Sequence, residues 1–237
     1  MKHAFCEWGP RGLEVLRDQV AALVIVDVLS FSTAVDVAVA RGAAIVPFPL
    51  RDRDAARDAA ASAGALLAES RGMASANDFT LSPASLVSIP RGTRLLLPSP
   101  NGSRLSLAGG TVPVFTGCLR NAKAVAAAAH SMAGDGSVGV VPAGELWGDG
   151  SLRPAVEDLL GAGAILEALN LPLSSEARVA RDAFLAAVPD LAAIIRGSVS
   201  GQELIGRGFA EDVEFAAALN LSTATPMLRG GAYQALG

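Results

Sequence analysis

Apolar positions in this chain fall into short runs that end in Gly, Pro, Ser or Asp, and longer Ala-rich stretches separate them. That rhythm is expected of strands buried on both faces and covered by helices. The short runs predict strands over His3–Trp8, Ala22–Asp27, Ala44–Pro47, Ala65–Glu69, Arg94–Leu97, Val112–Thr116 and Val138–Pro142. Length and apolar spacing predict helices over Thr33–Ala40, Asp52–Ala63, Leu119–Met132 and Val156–Leu169, with Ser32 capping the first and Asp52 the second. From Ser174 onward the pattern becomes helix after helix, over Ser175–Val188, Asp190–Ile195, Gly201–Arg207 and Glu211–Leu219. The class is therefore α/β with a helical C-terminal third. At 237 residues the chain forms one domain over 1–237, or two intimate lobes of about 1–110 and 111–237 that meet near the weak break Leu107–Pro113.

Composition narrows the function. Apolar residues make up 51% and charged residues 18%, which supplies a sizeable core and excludes a disordered chain. The net charge of −4 and pI near 5.2 give no overall basic field, so nucleic acid and anionic membranes are disfavoured partners. Lys2 and Lys123 are the only lysines, so positive charge is nearly all arginine, which suits bidentate grips on carboxylate, sulfonate or phosphate. Cys6 and Cys118 are too few for a disulfide framework and are expected as free thiols. MKHAFCEWGPRG lacks the apolar core of a signal peptide, and no run of roughly 18 apolar residues follows. A cytoplasmic location is expected. With so few charges and so much aliphatic surface, a homo-oligomer, a dimer, is expected as well.

The familiar nucleotide cradles are missing: there is no GxxxxGK[ST], and no GxGxxG between a strand and a helix. Cys118-Leu119-Arg120 is too short for a cysteine-phosphatase loop, and two histidines leave no His-rich metal site or Ser-His-Asp triad in view. Hard carboxylates and loops following strands remain, and in open α/β sheets such loops hold ligands. Asp27 ends the run Ala-Ala-Leu-Val-Ile-Val, where it could ligate a hard cation or attack phosphorus; the plainer reading, a helix cap, competes with the better-placed Ser32. The amides at the following helix start favour an anion. Pro98-Ser99-Pro100-Asn101-Gly102-Ser103-Arg104 offers turn amides, a hydroxyl and a guanidinium in one loop. Thr116-Gly117-Cys118-Leu119-Arg120-Asn121 is a turn of the same type. After Val138–Pro142 come Ala143-Gly144-Glu145 and then a helix carrying Glu157 and Asp158. Consecutive helical residues point about 100° apart, so one of these two acids is expected to act at a remove from any shared ion.

Taken in order, these segments resemble the 2-phosphosulfolactate phosphatase family, magnesium-dependent hydrolases of the coenzyme M pathway. DVLSFST at Asp27–Thr33 is similar to the family's DVLRAST, DFTLSP at Asp78–Pro83 to DLGNSP, PNGSR at Pro100–Arg104 to TNGTR, and TGCLRNA at Thr116–Ala122 to GSFLNA. AGE at Ala143–Glu145 and VEDLLGAGAI at Val156–Ile165 are similar to AGREG and LEDFLCAGAI, and GFAEDVEFAAALNLSTATP at Gly208–Pro226 resembles GFEEDIEFCAQLDVSDVVP. Ser30 stands where the family has arginine, Leu81 where it has asparagine, and Ser200 and Gln202 where it has histidine and arginine.

The resemblance implies a three-layer α/β/α fold with a mostly parallel or mixed sheet, Mg2+ as cofactor and hydrolysis of a small acidic phosphomonoester, 2-phosphosulfolactate or a 2-phospho-hydroxy acid of similar shape. It implies Asp27 as the catalytic carboxylate, whether as ligand, nucleophile or base. The metal would lie on one or two of Asp27, Glu69, Glu157 and Asp158 plus waters. The substrate would lie among Ser32, Thr33, Asn101, Gly102, Arg104, Arg120 and Asn121. With no histidine implied nearby, the leaving alkoxide would take its proton from water or from a carboxylic acid of raised pKa. A second reading is a diverged member that binds an anionic metabolite and hydrolyses nothing.

Overall fold

The computed structural model describes residues 2–49, 52–75 and 78–236. Strands β1 (Ala4–Cys6), β2 (Ala22–Val26), β3 (Ala44–Pro49), β4 (Leu66–Leu67), β5 (Arg94–Ser99), β6 (Val114–Gly117) and β7 (Val138–Pro142) lie where the apolar runs predict them. Helix α2 (Phe31–Ala40), α3 (Arg53–Ser62), α5 (Ala122–Ala133, after a single 3-10 turn) and α6 (Val156–Leu169) likewise match their periodicity. So do α7 (Ser175–Ala187), α8 (Leu191–Gly197), α9 (Val199–Gly206) and α10 (Ala210–Ala217). All five residues of β2 are buried, as a strand covered on both faces requires. Asp52 caps α3 by accepting the Asp54 amide, as predicted. Ser32 does not cap α2: the helix begins at Phe31 with Ser30 in the cap position, and the Ser32 hydroxyl turns back to the Asp27 amide and to Thr116.

Two features lay outside the predicted pattern. Helix α1 (Gly9–Leu16) forms in a gap between predicted strands for which no element was named, with Pro10, whose fixed φ and missing N–H suit a first helical turn, near its start, and α4 (Gly102–Leu107) forms within a segment expected to be a turn. The helical C-terminal third also ends in a hairpin, β10 (Pro226–Arg229) and β11 (Ala232–Ala235), turning on Gly230-Gly231 with positive φ at both glycines. A small second sheet pairs β8 (Glu145–Leu146) with β9 (Leu152–Arg153).

The hairpin is inserted into the middle of the main sheet, whose order is β1-β7-β2-β6-β10-β11-β3-β5-β4. The pairs β1/β7, β7/β2 and β2/β6 are parallel, as are β3/β5 and β5/β4, whereas each junction made by β10 and β11 is antiparallel. The sheet is therefore mixed, and helices cover both faces, giving the three-layer α/β/α arrangement. Helices α5 and α6 cover β2, β6 and β7, with α7 packed outside α6; α1, α2 and α4 cover the opposite face. Helix α4 touches β2, β3 and β5, although three strands separate β2 from β3, so the sheet curls around it. That curl brings the loops after β2 and β5 together. Among the described residues no single helix is long and apolar enough to cross a membrane.

Candidate active site

Asp27 sits one residue beyond β2, 6% exposed, with each carboxylate oxygen fixed by a main-chain donor. Oδ1 accepts the Phe31 amide at 3.2 Å and Oδ2 the Gly102 amide at 2.9 Å. Gly102 is required there: a Cβ would meet the Phe31 ring at 2.3 Å, so no other residue lets the β5 loop come this close. Asp158, in the first turn of α6, is held in the same way by the amides of Val28 at 2.7 Å and Gly144 at 2.9 Å. Gly144 has φ +67, and a Cβ on it would meet the Arg153 carbonyl at 2.9 Å. Asp158 thus ties the β2 loop to the β7 loop, and its neighbour Glu157 is left without a hydrogen-bond donor among the described residues. The two adjacent acids thus have different surroundings, in keeping with their separation of about 100° around the helix.

A cavity of about 250 Å³ opens beside Asp27, and Ser30, Arg71, Ser99, Asn101, Glu145 and Arg207 are among the residues that line it. Asn101 donates its side-chain amide to Glu145 Oε2 at 2.8 Å. Arg71 Nη2 donates to Ser30 Oγ at 2.8 Å, the Leu81 carbonyl at 3.2 Å and Asp212 Oδ2 at 2.9 Å. Ser82 donates a short hydrogen bond to the other Asp212 oxygen. Arg71 Nε is buried and makes no hydrogen bond.

Burial is the largest influence on these acids, and hydrogen bonds offset it only in part. Burial pushes Asp27 up to about 6, with its two amides opposing and Glu157 adding to the shift. Burial and the Asp27 charge push Glu145 up to about 7, against the Asn101 hydrogen bond. Asp158 is raised by burial, then by Asp27 and Glu157. Among the described residues no arginine or lysine is ion-paired with Asp27, Glu145, Glu157 or Asp158. Excess buried negative charge with oxygen donors suits a hard divalent cation. No three His, Cys, Asp or Glu side chains among the described residues stand in a metal-holding arrangement. A cation bound here would rest on one or two carboxylates with water completing its shell, not in an all-protein cage.

The remaining sequence candidates lie elsewhere. Ser32 and Thr33 do not line the cavity; their hydroxyls bind the Asp27 amide and the Val28 carbonyl and fix the turn between β2 and α2. Glu69 pairs with Arg53 at 2.5 Å on the wall of an adjoining chamber. Arg104 is exposed on a different cleft. Arg120 is buried against Asp36 at 2.9 Å and the Phe215 carbonyl, while Asn121 accepts the Cys118 amide and donates to the Ala224 carbonyl. That third turn anchors the C-terminal tail. Conversely, Arg71, Arg207 and Glu145 line the cavity without being among the sequence candidates. Ser70-Arg71-Gly72 belongs to a turn shortly after β4, and Glu145 is the one acid of the AGE segment that follows β7.

The profile of the 2-phosphosulpholactate phosphatase family matches residues 13–231. The chain belongs to that family. It is 32% identical over 211 residues to the 2-phosphosulfolactate phosphatase of Methanothermobacter thermautotrophicus, covering 88% of this chain and 87% of the relative. It is 33% identical over 213 residues to the probable 2-phosphosulfolactate phosphatase of Carboxydothermus hydrogenoformans, covering 86% and 85%. It is 32% identical over 204 residues to the protein of the same name from Prochlorococcus marinus, covering 79% and 80%. The family's other positions can now be placed: of the four departures, Ser30, Leu81 and Ser200 line the cavity beside Asp27, whereas Gln202 is exposed and donates to the Arg196 carbonyl.

Proposed function

We propose that this chain, a phosphoric monoester hydrolase by family, is a magnesium-dependent phosphatase of small acidic phosphomonoesters of the 2-phosphosulfolactate kind. The observation that carries this reading is the cavity itself, which gathers Asp27, Asn101 and Glu145 with the guanidinium groups of Arg71 and Arg207. Magnesium, when bound by Asp27 and Glu157 with waters, would neutralise phosphate charge. The buried amides of Phe31 and Gly102 hold the Asp27 carboxylate in one orientation, so it need not reorganise when substrate arrives. Hydrolysis breaks the bond from phosphorus to the substrate alkoxide and forms one to a water oxygen. The alkoxide must gain the proton that water loses. Glu145, with a pKa near neutrality and its carboxyl steadied by Asn101, supplies that proton.

Two buried free cysteines are in keeping with a cytoplasmic setting. The test is phosphate release from 2-phosphosulfolactate and 2-phospholactate with excess magnesium and again with EDTA. Release that EDTA abolishes and magnesium restores is expected; release indifferent to EDTA would remove the metal from the reading.

A further inference from the structure

Arg71 lines the cavity beside Asp27, and the carboxylate that places its guanidinium stands outside that cavity. Asp212, in the first turn of α10, is buried. One of its oxygens accepts Arg71 Nη2 at 2.9 Å, and the other accepts the Ser82 hydroxyl and, at 3.4 Å, the Ala84 amide. Ser82 is itself steadied, because its amide donates to Thr80 Oγ1 at 2.9 Å. Phe209, just before α10, backs the Arg71 guanidinium with its ring centroid 5.2 Å away. The molecule holds a second buried pair of this kind, Arg120 with Asp36. Arg120 donates Nε to Asp36 and Nη1 to the Phe215 carbonyl, whereas Arg71 keeps a buried Nε with no acceptor among the described residues. A buried donor left in that state is costly until a ligand or water completes it. Burial lowers the Arg71 pKa from its usual value; Asp212 opposes that most and Asp27 less, while Arg207 adds to it.

We infer that Asp212 is a positioning residue for the reaction, holding the Arg71 guanidinium beside Ser30 at the cavity so that it meets the anionic substrate already oriented. This rests on the phosphatase reading and deepens it. A long arginine side chain on a turn samples many rotamers when nothing holds it, and a carboxylate behind the guanidinium removes that freedom before the substrate arrives. Asp212 touches no reacting atom. It acts through Arg71, so its loss weakens the hold on the substrate and leaves the chemical step nearly as fast.

The test is a double-mutant cycle read in KM and kcat: wild type, Arg71→Ala, Asp212→Asn and the double variant, assayed on 2-phosphosulfolactate and 2-phospholactate with excess magnesium. Asp212→Asn is expected to raise KM about tenfold with kcat within about threefold, and Arg71→Ala to raise KM by about tenfold or more. Once Arg71 is gone, adding Asp212→Asn should raise KM by less than about threefold further. Folded Asp36→Asn, which breaks the other buried pair, should leave KM within about threefold of the wild type and shows what a purely structural loss does. A wild-type KM in Asp212→Asn, or a double variant in which the two effects multiply, overturns the inference and leaves the phosphatase reading standing. If Asp212→Asn does not fold, Ser82→Ala decides in its place: a KM raised about threefold only while Arg71 is present upholds the inference, and an unmoved KM overturns it. Release from neither compound by the wild type overturns the phosphatase reading. Calorimetric Kd values for 2-phospholactate across the same cycle then decide the role of Asp212 on the same terms.

Discussion

Asp27 lies just before α2 and Asp36 within it, and both are buried, yet the chain treats their charges differently. Asp36, within α2, accepts Arg120 Nε at 2.9 Å and Ser222 Oγ at 2.6 Å, so a guanidinium and a hydroxyl offset its burial. Asp27 receives only two main-chain amides and no ion pair among the described residues; the charges that act on it are Glu157, which raises its pKa, and more weakly Arg71, which lowers it. Amides fix a carboxylate without neutralising it. The difference separates a charge that builds the molecule from one kept available for a ligand: the first faces a partner inside the chain, the second faces a cavity.

The comparison can be broken at several points. Asp36→Ala leaves Arg120 buried without its counter-ion and is expected to cost about 3–5 kcal/mol, lowering Tm by roughly 10 °C in a scan of the purified protein. A change under about 1 kcal/mol would mean that Asp36 is no more structural than Asp27. On the acidic side, Glu145→Gln keeps an acceptor for Asn101 but removes the proton donor, and is expected to lower kcat about 10²-fold. In the wild type, kcat should fall as pH rises above about 7, because the protonated acid is then lost, and this limb should vanish in Glu145→Gln.

The same variant reports on stability. Glu145 has a folded-state pKa above its ordinary value of 4.5, so the folded protein holds the proton more tightly than the unfolded chain. Stability in EDTA therefore declines as pH rises from about 4.5 through about 7, and Glu145→Gln should remove that decline, gaining on the order of 2 kcal/mol at pH 8 and nothing at pH 4. Denaturant titrations at the two pH values decide it. Glu157→Gln relieves repulsion on three carboxylates and should stabilise the metal-free protein by about 1 kcal/mol while weakening its response to magnesium. The smallest effect concerns the thiols. Burial pushes Cys6 and Cys118 up to about 12, so iodoacetamide at pH 8 should leave both unmodified in the native protein and label both in denaturant.

Much of the fold was readable because buried strands and covering helices impose different spacings on apolar residues, and β2, β7 and α6 carry those spacings without interruption. The hairpin at the C-terminus escaped although its Gly230-Gly231 turn is a standard signal, because its two strands are only four residues each and follow a long helical stretch, so no element is predicted beyond Leu219. Within the site, Asp27, Asn101, Gly102, Glu157 and Asp158 do come together, each at a strand end or helix start. Ser32, Thr33, Arg120 and Asn121 have the right chemistry in the right loops but spend it on the chain itself. Whether a donor points into a cavity or back into the protein depends on partners such as Asp36 and Ala224, which lie 84 and 103 residues away, so local spacing could not tell. Arg71 was missed for the same reason: its place is set by Asp212, 141 residues on.

The most direct measurement is phosphate release by Asp27→Asn and Asp36→Asn side by side, with saturating magnesium and with native folding verified by circular dichroism. The account expects Asp27→Asn to lose about 10³-fold or more in kcat while remaining folded, and Asp36→Asn, wherever it stays folded, to keep kcat within about threefold of the wild type. Equal turnover in Asp27→Asn and the wild type, or a larger catalytic loss in folded Asp36→Asn, would contradict it.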